Sequence, residues 1–174
     1  MKAPAPWLET LRLELREFVA SDFDELHRLA SDPRVVRYIA DGRPFAREKT
    51  AAMLARIVRN YAIYPDLGAW YATRRDNGAF VGWFSLKYAG TSRDVEIGYW
   101  LLRDAWGRGF ATEGASALRA YGFDTVGLDR IIGVTHPDNR ASQRVLLKIG
   151  LEDRGWGRYY DRRLRLFAAD NPRR

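Results

Sequence analysis

Val95-Glu96-Ile97-Gly98-Tyr99-Trp100-Leu101-Leu102-Arg103-Asp104-Ala105-Trp106-Gly107-Arg108-Gly109-Phe110-Ala111-Thr112-Glu113-Gly114 is the stretch whose reading decides the fold. Its opening is rich in β-branched and aromatic residues and reads as a strand over Asp94 to Leu102. Two glycines two positions apart follow, and then a helix from about Ala111 to Phe123. Glycine lets backbone amides approach an anion with no Cβ in the way. The first turn of a helix adds unpaired N–H groups and the positive end of its dipole. Together they suit a pyrophosphate, although Gly-x-Gly alone more readily describes a tight strand-to-helix turn.

Upstream, Leu11, Leu13 and Leu15 alternate with Arg12, Glu14 and Arg16, the period of a half-buried strand running to Phe18. Ser21 reads as the N-cap of a helix ending near Ala30, where Asp32-Pro33 stops it. A short turn or helix over Val35 to Ile39 leads to a longer helix, about Arg47 to Tyr61. Ala69 to Arg74 and Phe80 to Tyr88 flank Asp76-Asn77-Gly78 and form a hairpin signal. Downstream, a strand over Arg130 to Thr135 precedes a helix that begins at Pro137-Asp138-Asn139 and ends at Gly150, a natural C-cap. Leu151 to Arg158 and Arg163 to Ala168 read as two final strands. The order is a mixed α/β sheet with a central strand–helix–strand crossover.

With 174 residues and no linker-like tract, one domain over 1–174 is expected, its core about 8–169, with Met1 to Pro6 and Asn171 to Arg174 frayed. The 47% hydrophobic content is enough for a sizeable core. The net charge of +7 comes from 25 Arg and 4 Lys spread along the chain, which fits a polyanionic ligand or a solvated surface and makes nucleic acid an unlikely partner. Cysteine is absent, which excludes disulfides, thiolate metal sites and a Cys nucleophile; no metal is expected. No apolar run nears the roughly 18 residues of a membrane span, so a cytoplasmic protein is expected.

Beyond the glycine turn, Glu96-Ile97-Gly98-Tyr99-Trp100 and Trp106-Gly107-Arg108-Gly109-Phe110-Ala111-Thr112-Glu113 together resemble the GNAT acetyltransferases, and within them the branch of ribosomal-protein-alanine N-acetyltransferases. Asn139-Arg140-Ala141-Ser142, with Lys148-Ile149-Gly150-Leu151, is similar to the family's Asn-x-x-Ser helix and its ending. The resemblance runs from about Leu11 to Ala168. It implies a mostly antiparallel sheet of six to seven strands with helices on both faces. It also implies acetyl transfer from acetyl-coenzyme A to a primary amine, with a protein N-terminus as the acceptor; a small-molecule amine and a non-catalytic coenzyme A-binding module are the alternatives. A homodimer is common among such proteins.

By that resemblance, Gly107, Arg108, Gly109, Phe110, Ala111 and Thr112 hold the coenzyme's pyrophosphate, and Arg103 and Arg108 neutralise phosphate charge. Backbone around Ile97 to Leu101, including Tyr99, Trp100 and Leu101, meets the pantetheine at a splay between the fourth and fifth strands. Asn139 holds the pantetheine or caps the last helix. Direct transfer needs a base, an oxyanion donor and a donor to the departing thiolate. Glu96 is the candidate base and Ser142 the candidate thiolate donor, while the amide of Tyr99 or Trp100 serves the oxyanion. His136 is a weaker candidate base. Where many relatives have a Tyr acid, this chain has Leu146. The acceptor pocket is expected among the first two helices, Gly42 to Phe45, and Tyr159 and Tyr160, with Trp70, Trp83 and Tyr38 as lining or plain core.

Overall fold

A computed structural model describes residues 7–173, and Met1 to Pro6 and Arg174, expected to fray, lie outside them. Strands β1 (Leu8–Glu9) and β2 (Leu13–Glu17) open the chain, followed by helices α1 (Phe23–Ala30), α2 (Pro33–Val36) and α3 (Arg47–Ile63). Strands β3 (Gly68–Arg74), β4 (Phe80–Tyr88) and β5 (Val95–Leu101) form an antiparallel meander. Helix α4 (Phe110–Asp124) crosses over to β6 (Arg130–Thr135), and α5 (Arg140–Lys148) precedes the hairpin β7 (Glu152–Tyr159) and β8 (Arg162–Asp170). The sheet order is β1-β2-β3-β4-β5-β6-β8-β7, and only β5 and β6 run parallel.

Alternation along the strands sends side chains to two separate cores. Leu13, Leu15, Trp70, Phe84, Leu86 and Ile97 pack beneath α4 and α5 with Phe110, Leu118 and Leu146. Phe18, Tyr71, Phe80 and Trp83 pack beneath α1 and α3 with Leu26, Leu29, Leu54 and Ile57. A bulge in β4 sets this division. Ala72 pairs with Gly82 and Thr73 with Phe80, so Val81 is the extra residue. Val81 therefore faces α4 while Trp83, of the same parity, faces α1 and α3. Gly82 sits at φ 143°, and a Cβ there would lie 2.1 Å from the Trp100 carbonyl oxygen, so only glycine lets the bulge nest on β5.

The sheet has eight strands where six to seven were expected. The extra one is the two-residue β1, which pairs Leu8 with Leu15 and is too short to show a period. Leu11, expected inside the first strand, lies between β1 and β2 and is 84% exposed. Ser21 does not cap α1; Asp22 stands at that position, and its carboxylate instead accepts from Arg16 and from the Val19 amide. Asn171, expected to fray, is buried, with its side-chain amide donating to the Leu128 carbonyl at 2.9 Å. No described helix is long and apolar enough to cross a membrane.

Candidate active site

β5 and β6 touch at a single register pair, Glu96 with Ile132, and diverge beyond it. β5 remains fully paired to β4 on its other edge, from Val95 to Leu101. The β6-facing edge of β5 past Glu96 is therefore open, and a cavity of about 120 Å³ occupies the splay. Glu96, Tyr99, Trp100, His136, Asn139 and Ser142 all border it. Both sequence-derived catalytic candidates, Glu96 and Ser142, thus meet there with Tyr99, Trp100 and Asn139.

The glycine turn lies at the end of β5. Gly107 and Gly109 adopt φ 70° and 83°, and Gly109 is the N-cap of α4. A Cβ on Gly107 would meet nothing within 4 Å, so the turn's outer side is open for a ligand to approach the backbone. Phe110 is buried, whereas Ala111 and Thr112 are partly exposed in the first turn of α4. The indole of Trp106 donates to the Leu101 carbonyl at 2.8 Å and so pins the turn to the end of β5. From the other side, Arg12 donates to the Arg108 carbonyl at 3.0 Å. Arg12 and Thr10 also hold the Glu113 carboxylate in the first turn of α4, through contacts of 2.6 Å and 2.7 Å. Burial pushes the Glu113 carboxyl up, but the hydrogen bonds from Thr10 and Arg12 outweigh it and hold the group below its usual range. Arg103 is exposed on a short helical turn before the glycines. Arg108 borders a separate cavity of about 260 Å³ with Arg28, Arg74 and Asp104, and its guanidinium lies 5.9 Å from the Phe110 ring centre.

Glu96 faces α1 and α3, sharing its side of β5 with Gly98 and Trp100. It is buried, at 8% exposure. Lys87 stands directly opposite it on β4 and brings its ammonium to 3.4 Å from Glu96 Oε2. The Tyr160 phenol donates to the same oxygen and accepts from Lys87 at 2.9 Å. Tyr160 and Asp161 both have positive φ, 54° and 57°, which makes the β7–β8 connection a two-residue turn that points Tyr160 over the sheet. Burial, and then the nearby Glu96 charge, push the Tyr160 phenol well above its ordinary range, so it is a permanent donor. Arg162 ties the turn to the Ala40 carbonyl, beyond α2.

On the opposite face of β5, Tyr99 reaches α5. Its phenol oxygen lies 3.0 Å from Ser142 Oγ and 3.2 Å from the Ser142 carbonyl oxygen. Asn139 accepts from the Ser142 amide at 3.2 Å, so it caps α5 while bordering the cavity. His136 stacks on Tyr38 with ring centres 5.1 Å apart, and its Nδ1 accepts from the Asp138 amide at 3.2 Å. Leu146 is buried against Gly133, where a Cβ would come within 2.5 Å of it. Trp70 and Trp83 are core, in the α4/α5 and α1/α3 clusters respectively, and Tyr38 borders the cavity.

Lys87 went unnamed at the level of sequence. Its signal was present: it is the one charged residue in Phe80–Tyr88, a strand otherwise apolar or small apart from Ser85 and Tyr88. The bond from Trp106 to Leu101 had no such signal, because it depends on how the turn doubles back.

Residues 12–152 match the acetyltransferase (GNAT) domain family. An uncharacterised N-acetyltransferase of Bacillus subtilis, YoaA, is 34% identical over 158 residues, covering 89% of this chain and 88% of that protein. The FsC-acetyl coenzyme A-N(2)-transacetylase of Aspergillus fumigatus is 31% identical over 154 residues, covering 84% of this chain and 65% of that longer protein. Among solved structures, the ribosomal L7/L12 α-N-protein acetyltransferase RimL, in complex with coenzyme A, shares the fold with a TM-score of 0.77 at 17% identity, covering 92% of this chain and 95% of that one. The open strand edge, the glycine turn at the head of α4 and a domain match across most of the chain lead to one assignment: this protein belongs to the GNAT acetyltransferases and is an acetyl-coenzyme A-dependent N-acetyltransferase.

Proposed function

We propose that the acceptor is the α-amine of a protein N-terminus, acetylated by direct attack on the thioester within the β5–β6 splay. The observation that supports direct transfer in the splay is the placement of Glu96 and Ser142 on opposite sides of β5, bordering one cavity. In this scheme the amides of Gly107 to Ala111 hold the pyrophosphate, with Thr112 and Arg103 beside them. Arg108 contributes positive charge from the rim of the turn. The pantetheine amides pair with the open edge of β5 from Tyr99 to Leu101, as an added strand would, with Asn139 at its side. Glu96, whose Oε2 is held by Lys87 and Tyr160, draws the proton from the acceptor nitrogen. The Tyr99 or Trp100 amide faces the oxyanion, and Ser142 donates to the leaving sulfur.

The resemblance to the ribosomal-protein-alanine branch and the fold shared with RimL support a protein N-terminus. The FsC transacetylase relative supports a second reading, an amine on a small molecule. Acetyl-coenzyme A is offered with N-terminal peptides, polyamines, amino acids and aminoglycosides while free thiol is followed. Thiol release that depends on the peptides is the expected result. Release that depends only on a small amine transfers the assignment to the second reading. Coenzyme A binding without turnover on any acceptor overturns both.

A further inference from the structure

We propose that the Tyr99 side chain is a positioning residue that aims the Ser142 hydroxyl at the departing sulfur. This rests on the reading of Ser142 as the donor to the thiolate and adds the group that makes its direction definite. Ser142 lies in the first turn of α5, where a serine hydroxyl ordinarily folds back on a nearby backbone carbonyl. Here the Tyr99 phenol intervenes, with its oxygen 3.0 Å from Ser142 Oγ and 3.2 Å from the Ser142 carbonyl oxygen. The carbonyl only accepts, and the phenol has one proton. When that proton goes to the carbonyl, the serine hydroxyl is occupied in donating to the phenol oxygen. When it goes to Ser142 Oγ, the serine proton is released toward the cavity. The pair thus has two arrangements that differ by rotation of two O–H bonds.

Neighbouring groups leave this task to Tyr99. Leu146, one turn along α5, is buried and has no polar side-chain atom. Asn139 Oδ1 is committed to the Ser142 amide, and His136 Nδ1 to the Asp138 amide. Burial pushes the Tyr99 phenol up to about 12, against a smaller opposite effect of the bond with Ser142, so it stays protonated at neutral pH. No proton leaves Tyr99 in the reaction. As the C–S bond breaks, its electron pair goes to sulfur, which the Ser142 O–H stabilises by hydrogen bonding. The proton that sulfur finally takes balances the one lost by the acceptor nitrogen.

The test is a double-mutant cycle of Tyr99→Phe and Ser142→Ala, measuring kcat, KM for acetyl-coenzyme A and the pH profile. Phenylalanine keeps the ring beside Phe84 and removes only the hydroxyl. Expected are a fall in kcat of about tenfold for Tyr99→Phe, an unchanged KM, and no further fall when it is added to Ser142→Ala. Additive losses, or a raised KM with kcat intact, overturn the proposal. A slow Ser142→Ala with a normal Tyr99→Phe rejects the positioning role and keeps the serine. A normal Ser142→Ala with a slow Tyr99→Phe rejects the serine reading itself. A fluorinated tyrosine at 99, whose phenol ionises at lower pH, provides the second variant: the alkaline fall of kcat moves to lower pH if the phenol acts as described, and an unmoved limb overturns the proposal.

Discussion

Glu96 is gripped at one oxygen from two directions, by Lys87 across the sheet and by Tyr160 from a turn far along the chain. The second oxygen has neither bond, and in the proposed mechanism it is the one that meets the incoming amine. In Glu96→Gln, kcat is expected to fall at least about tenfold, within the range of general-base catalysis, while calorimetry finds coenzyme A affinity unchanged. A second prediction concerns the tyrosines. Burial pushes both Tyr71 and Tyr99 up to about 12 from an ordinary 10.0. Both are raised, so the unfolded chain loses its phenolic protons first as pH rises. The stability they contribute is complete below about pH 10 and is lost toward pH 12. Urea midpoints are expected to fall across that window, and less steeply in Tyr99→Phe. At this scale the gathering of Glu96, Asn139 and Ser142 around one cavity was legible because they sit in spaced motifs. Lys87 and the Tyr160 contact depend on register and on a two-residue turn, which pair distant residues without leaving a local pattern.

The element that matters most is the β5–turn–α4 unit. Its helix is seated closely because Gly114 has no side chain: a Cβ there would lie 2.3 Å from the Phe84 ring. Gly114→Ala is therefore expected to destabilise by about 1–3 kcal/mol in urea unfolding, as overpacking does. Gly109→Val forces a β-branched residue to φ 83° at the head of α4, a strain of about 1–2 kcal/mol. It is also expected to weaken coenzyme A binding in calorimetry, whereas Gly114→Ala is not, because Gly114 faces the core. The crossover, the meander and both later helices were readable from Gly, Asn-Gly and Asn-cap signals. β1 was missed because two residues have no period, and Ser21 was misassigned because the Arg16–Asp22 pair draws the chain into a short helical turn first.

For the whole molecule, the surplus of positive charge and a polyanionic substrate predict a coenzyme A affinity that weakens as salt is raised from low to physiological strength. The two-sided layering was expected from the resemblance to the GNAT acetyltransferases. Which face each strand residue takes was not legible, because the bulge at Val81 changes parity near the start of β4.

The single ladder pair between β5 and β6 has a consequence for how the protein breathes. In most sheets the centre is the last part to exchange its amide hydrogens and the edges the first. Here the central seam has strand groups with no neighbour beyond Glu96, so amides of β5 that point toward β6 should exchange as fast as those of an outer strand. Acetyl-coenzyme A, filling that seam, would slow them and raise the unfolding temperature with its concentration. On the proposed binding mode the substrate acts as a ninth strand beside the eight described, and the enzyme between turnovers is a fold waiting to be completed.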